Sequence, residues 1–179
     1  VLSVKGIPVF ADIDPATLCL DPNAVEAAVT PQTRAVIAVH IGGMPADMDA
    51  LQAVCDRHGL RLIEDCAQAH GGIHAGRTLG SIGACGAFSF QSSKNMTAGE
   101  GGIVLTNDRG LAEKCDSLLW AGRQKGRPWY EFHQLGWNYR MTEFQAAILL
   151  VQLSRLEEQN ARRMANARYL SGLLADMPG

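Results

Sequence analysis

Two residues of this chain have types and settings that suit covalent chemistry on a carbonyl compound. Asp65 ends the run Leu60-Arg61-Leu62-Ile63-Glu64-Asp65, and Lys94 closes the phrase Ser89-Phe90-Gln91-Ser92-Ser93-Lys94. A carboxylate at the end of an apolar strand is partly withdrawn from water. It needs a cationic or hydrogen-bonding partner, or its pKa rises and it neutralises. A lysine amine among small polar residues, partly desolvated, is a nucleophile suited to condensing with an aldehyde. The pair therefore fits a heteroaromatic aldehyde with a protonated ring nitrogen. The carboxylate would hold the ring proton and the amine would hold the aldehyde carbon. Such a ring acts as an electron sink, as in pyridoxal catalysis. The glycines of Gly99-Glu100-Gly101-Gly102 allow the backbone to turn tightly beside a ligand. Taken singly these residues say little, since loop lysines are ordinarily solvated and strand-end aspartates often cap turns.

The surrounding sequence predicts elements that would bring them together. Residues 7–13 read as a short strand leaving a turn at Gly6. Asp21 can cap a helix whose first position is Pro22, running to about Val29. Residues 34–40 form a near-continuous apolar run, the pattern of a parallel strand buried on both faces. Asp47 caps a helix that ends at Gly59, and residues 60–65 form the next strand. Strand, helix, strand, helix, strand in this order implies a parallel α/β sheet. A glycine-rich stretch, 71–102, holds a short strand at 87–90. A further strand at 102–106 and a helix at about 108–120 follow. Residues 121–139 are a polar loop containing Trp129, Tyr130 and Trp137, and a loop that long is usually functional or contacts a partner. Thr142 and Gln145 have the spacing of a capping box, opening a helical pattern that runs, in one piece or two, to about 175. Ligands of open parallel sheets bind at the carboxyl ends of the strands. His40, Asp65 and the segment after Phe90 all fall at such ends. His40 is either a satisfied strand-end histidine or a group facing substrate. Trp129 and Tyr130 fit a substrate mouth and a dimer contact equally well.

Composition narrows the classes. The 179 residues are 47% hydrophobic and 19% charged with a formal net charge of −2, an ordinary globular composition without a Lys/Arg cluster. Nucleic acid is therefore not an expected partner. Nor is a membrane, since no apolar run reaches the length of a bilayer span. The five cysteines, Cys19, Cys55, Cys66, Cys85 and Cys115, are odd in number and lack CxxC spacing. They suggest neither a disulfide framework nor a zinc site, and free thiols fit a cytoplasmic location. His70 and His74 are four apart, but Gly71-Gly72 between them argues against the helix a metal pair would need, so no metal is expected. The chain starts at Val1 and stops at Pro178-Gly179 just after a helical pattern. It is expected to be a piece of a longer protein.

Five phrases occur in a fixed order: Val39-His40-Ile41-Gly42-Gly43; Asp65-Cys66-Ala67-Gln68-Ala69-His70-Gly71; Phe88-Ser89-Phe90 with Lys94 four residues on; Gly99-Glu100-Gly101-Gly102; and Gly136-Trp137-Asn138-Tyr139-Arg140-Met141. In this combination the chain resembles the DegT/StrS-type family of pyridoxal-phosphate-dependent sugar aminotransferases over nearly its whole length. The resemblance implies an aspartate-aminotransferase-like α/β large domain, with a mostly parallel sheet flanked by helices. It also implies a homodimer with shared active sites, and amino transfer from glutamate or glutamine to a keto-sugar or keto-cyclitol. On that resemblance Lys94 forms the Schiff base with pyridoxal phosphate and Asp65 pairs with the pyridine nitrogen. Gln68 lies near the phenolic oxygen, Ser89 contacts the phosphate, and Asn138 reaches the phosphate of the neighbouring subunit's cofactor. Gln68, with Phe90-Gln91 after Ser89, is similar to the branch containing inosose aminotransferases and aminohydroxybenzoate synthases. Members of the family are longer than this chain. Residues 1–179 are thus expected to be a partial large domain, with the helical segment 142–175 leading towards a small domain outside it. Alternatives are a pyridoxal-type sugar dehydratase, an aromatising lyase, or a non-catalytic cofactor-binding or dimerisation module of the same fold. In the dehydratases a histidine replaces the lysine, and Lys94 argues against that branch.

Overall fold

A computed structural model describes residues 1–177. The capping signals act as their local chemistry requires. The Asp21 carboxylate accepts from Asn23 N–H and opens α1 (Pro22–Ala28). The Asp47 carboxylate accepts from Ala50 N–H and opens α2 (Met48–His58), which Gly59 ends in a left-handed conformation. The strands β1 (Ala35–Val39) and β2 (Arg61–Asp65) lie either side of α2 in sequence. A two-stranded hairpin follows, made of β3 (Ile73–His74) and β4 (Arg77–Thr78). Then come β5 (Cys85–Ser89), β6 (Gly102–Leu105), α3 (Arg109–Leu119) behind the Asp108 cap, and α4 (Glu143–Leu174).

The main sheet has the order β1-β2-β5-β6; β1, β2 and β5 run parallel and β6 is antiparallel to β5. Opposed residues in register share a face of a sheet. One face carries Val36, Ala38, Leu62 and Glu64, all buried with Met48, Leu51, Val54 and Cys55 of α2. The opposite face carries Ile37 and Val39, 44% and 40% exposed, with Asp65, Ala87 and Ser89 beside them. Thus β1, expected to be buried on both faces, is an edge strand of alternating burial. Its apolar run is continuous, but within residues 1–177 only one side of the sheet is packed.

Two other elements depart from the sequence reading. Residues 7–13 form no strand. Ile7 and Phe10 stand 88% and 92% exposed, and only Ile13 makes an isolated bridge, to Leu20. A strand needs a neighbour for its N–H and C=O groups, and among the described residues this segment has none beyond that bridge. The hairpin β3–β4 was not anticipated. It turns on Ala75-Gly76, both at positive φ, a two-residue hairpin loop made without the usual Asn-Gly signal. The last helix is a single unbroken element of 32 residues, opened by the reciprocal Thr142–Gln145 capping box.

One close approach holds the loop before β5 against that strand. A Cβ on Gly86 would stand 2.3 Å from Gly80 Cα and 2.6 Å from its carbonyl oxygen. Both are backbone atoms and cannot rotate away. Gly86→Ala is therefore expected to destabilise the intact protein by about 3 kcal/mol. Denaturant unfolding checks this, and a change under about 0.5 kcal/mol, the scatter of neutral surface substitutions, would show that the loop before β5 yields easily.

Candidate active site

The ends of β2 and β5 lie side by side, because Asp65 pairs in register with Ala87 and Ser89 follows two residues on. The period of two places Asp65, Ala87 and Ser89 on one face, the open one. The Asp65 carboxylate is half-buried. Its Oδ1 accepts from Ala67 N–H at 3.0 Å, a tight turn that leaves Oδ2 uncommitted among the described residues. Ser89 Oγ accepts a long bond, 3.3 Å, from Gln91 N–H, and its own proton is free to be donated outward. Beyond Ser89 the chain makes a loop closed at Phe90, whose N–H donates to the Gly101 carbonyl. Phe90 O in turn accepts from Ala98 N–H and Thr97 Oγ. Lys94 stands inside this loop, half-buried, with its amine in no ion pair or hydrogen bond among the described residues.

Gln68 reaches the same edge from the turn after β2. Its Oε1 accepts from Gly42 N–H at 2.6 Å, in the short helical turn Ile41–Gly43 that follows β1. The side-chain amide is thereby oriented, with its NH2 left to donate. Asp65 and Ser89 thus stand on one face at the ends of β2 and β5, with Gln68 in the turn after β2 and Lys94 in the loop after β5. Asn138 is not brought into this group. It bridges to Trp120, and its Oδ1 accepts from Arg140 Nε at 2.8 Å. The loop carrying it is held to α3 by Ala121 N–H to Trp137 O and Trp137 N–H to Leu118 O. Arg123 stacks on Trp129 and Phe132 at 4.5 and 4.6 Å, and Trp137 lies flat on Tyr139.

His40 is a correction. It is fully buried, so it cannot face substrate. Its Nδ1 accepts from Ala46 N–H at 3.1 Å, and Nε2 lies 3.2 Å from Glu64 Oε2. This fixes the neutral tautomer that carries its proton on Nε2. His40, Glu64 and Cys66 are close enough together for a metal site. The ring nitrogens of His40 and the lone pairs of Glu64 are spoken for, however. Glu64 Oε2 also accepts from Gly80 N–H at 2.7 Å, and Oε1 accepts from Ile82 and Gly83 N–H, each at 2.8 Å. Burial, with the charges of Glu64 and Asp65, pushes the Cys66 thiol up to about 12. Burial also raises the Glu64 carboxyl, but the His40 bond and the backbone bonds from Gly80, Gly83 and Ile82 outweigh it and hold the group below its ordinary range.

Sequence reasoning missed two residues around the site. One is Glu64, whose signal was a carboxylate at an inward position of a strand, alternating with Leu62. The other is His70, which donates from Nε2 to the Ser89 carbonyl at 2.8 Å and packs against Phe88 and Phe90. Burial lowers its pKa; the Ser89 bond opposes this and the Lys94 charge reinforces it. His74 lies in β3 beside Asp49 rather than on a helix with His70.

The aminotransferase family described as DegT/DnrJ/EryC1/StrS matches this chain over residues 1–179. The chain belongs to that family. It is 52% identical to the L-glutamine:2-deoxy-scyllo-inosose aminotransferase of Streptoalloteichus tenebrarius, over 98% of this chain and 44% of that protein. Among solved structures, DesV of S. venezuelae in complex with a ketimine intermediate superposes with a TM-score of 0.93 at 44% identity, over 99% of this chain and 48% of that one. A 3-amino-5-hydroxybenzoic acid synthase superposes at 0.92 with 39% identity, over 99% and 47%. The fold is accordingly that of the family's pyridoxal-phosphate enzymes, and the chain spans less than half the length of the relatives it matches. The donor set is compatible with that cofactor: among the described residues, a carboxylate oxygen without a partner for a ring nitrogen, a serine proton for a phosphate oxygen, an amide NH2 for a phenolic oxygen, and an unpaired amine.

Proposed function

We propose that the intact protein is an aminotransferase that moves an amino group from L-glutamine to a keto-cyclitol of the 2-deoxy-scyllo-inosose type, with pyridoxal phosphate as cofactor. The observation that carries this reading is the convergence of Asp65 and Ser89 on one open sheet face, with the unpaired Lys94 in the loop that follows. Relatives named for that donor and acceptor, about half identical to this chain, support the choice of substrates. Lys94 would hold the cofactor's aldehyde carbon, Asp65 its ring nitrogen, Gln68 its phenolic oxygen and Ser89 its phosphate. When bound, the ring supplies an electron sink for the donor's α-carbon. Asp65 would keep a proton on the ring nitrogen by charge. Lys94 Nζ would take a proton as base and return it as acid, and among the described residues no ion pair has to be broken first. Residues 1–179 would act as most of a large domain. Among the described residues no helix is long and apolar enough to cross a membrane. We place the enzyme in the cytoplasm, which the free cysteines favour.

The test is a coupled assay of the intact protein with pyridoxal phosphate. Glutamine and a keto-cyclitol should yield the amino-cyclitol. If only a nucleotide-linked keto-sugar is aminated, the acceptor class is wrong. If a product arises by loss of water without amination, the reading as an aminotransferase fails.

The same reading includes a homodimer with shared sites. Helix α4 has one buried residue, Leu149, while Phe144, Leu150, Val151, Leu153 and Tyr169 are each more than half exposed. Tyr130, Leu135 and Tyr139 on the preceding loop are each more than two thirds exposed as well. Exposed apolar side chains of this kind support an interface. Asn138 would then act on the partner's cofactor. Mixing Lys94→Ala subunits with Asn138→Ala subunits is expected to restore part of the lost activity, since one site of each heterodimer carries neither defect. No recovery in heterodimers shown to have formed would place Asn138 in its own subunit's chemistry or outside it altogether.

A further inference from the structure

We infer that Glu64 is a positioning residue: its buried carboxylate sets the spacing between the two strand ends that carry Asp65 and Ser89. This rests on the reading of those two residues as cofactor contacts. Glu64 points to the packed face of the sheet, away from Asp65, so it touches neither cofactor nor substrate. It is nonetheless the most heavily bonded side chain of the region. Four donors converge on it: the His40 ring from the end of β1, and the N–H groups of Gly80, Ile82 and Gly83 from the segment that enters β5.

Those four bonds connect the elements that matter. His40 also donates its backbone N–H to the Asp65 carbonyl at 3.1 Å, which continues the β1–β2 ladder past the last strand residue. The segment 80–83 leads directly into β5, whose far end is Ser89. A carboxylate on β2 that grips this segment at both oxygens therefore fixes how far along β2 the strand β5 begins, and hence where Ser89 stands relative to Asp65. The approach is close as well, since a Cβ on Gly83 would lie 2.6 Å from the Leu62 carbonyl. Only an anionic, acceptor-only group satisfies four donors at once. An amide in its place would aim an NH2 at N–H groups and leave buried donors unpaired.

The test is a double-mutant cycle on cofactor affinity in the intact protein. It combines Glu64→Gln with Ser89→Ala, with pyridoxal phosphate as probe and circular dichroism confirming the folded state. Ser89→Ala alone is expected to weaken binding; if it does not, the assignment of Ser89 to the phosphate fails, and with it the reading beneath this inference. Given that loss, Glu64→Gln is expected to weaken binding about tenfold when Ser89 is present and by less than about threefold when it is absent, because the substitution acts through the serine's position. Equal losses in both backgrounds, or a lowered Tm with unchanged affinity, would overturn the inference and leave Glu64 a purely structural group. Should Glu64→Gln not fold, His40→Leu removes one donor of the four and supports the same cycle. There a loss confined to the Ser89 background sustains the inference, and equal or absent losses overturn it.

Discussion

Lys94→Ala in the intact protein is expected to abolish covalent attachment of the cofactor and to lower turnover by at least about a thousandfold. That estimate takes general acid–base transfer alone as worth up to about four orders of magnitude. The reason is positional. The other three lysines are Lys5 in the first turn of the chain, Lys114 on α3 and Lys125 in the loop after it, and none belongs to the loop closed at Phe90. Borohydride reduction followed by peptide mapping reads the effect directly. The unaltered protein should carry the reduced cofactor on Lys94, and the variant should carry none. Cofactor trapped on another lysine, or normal turnover by the variant, would remove Lys94 from the mechanism. A protein that traps no cofactor at all would be a non-catalytic module of this fold.

Asp65→Asn is the second large effect. The rate is expected to fall about a hundredfold or more, roughly 3 kcal/mol in the barrier, because in the proposed role Asp65 supplies the charge that would keep the ring nitrogen protonated. The fold should survive. The Asp65 side chain accepts one backbone N–H, from Ala67, and an asparagine oxygen can accept the same bond. The neighbouring carboxylate cannot substitute, since Glu64 faces the other side of the sheet with both oxygens committed. A loss of less than threefold in kcat, with stability unchanged, would show that Asp65 is not the ring's partner.

How much of this was legible beforehand varies with the range of the interaction. Helix starts were legible because a cap is a contact between residues two or three apart. Asp21, Asp47 and Thr142 each bond a backbone N–H two or three residues on. The order of β1, α2 and β2, and the strand-end placement of Asp65, were legible for a similar reason: hydrophobic runs and turn residues are local patterns. Residues 7–13 show the limit. Their apolar content resembles a strand, yet strandedness depends on a neighbour that the segment itself cannot supply.

The sequence alone determined which residue types stand at which strand ends, and the combination of phrases that marks the family. It did so because those signals are carried by residues close together in the chain. Only the tertiary structure decided which face each side chain occupies. It turned His40 inward to Glu64, left Asp65 and Ser89 on the open face, and placed Asn138 with Trp120 and Arg140 outside the group. These outcomes depend on contacts across 24 residues for His40 and Glu64, and across 16 to 19 for Glu64 and the entry to β5. Pairing at such separations is set by the register of strands and by whatever packs on each side of the sheet. A buried carboxylate with four donors looks, in the sequence, like any charged residue near the end of a strand.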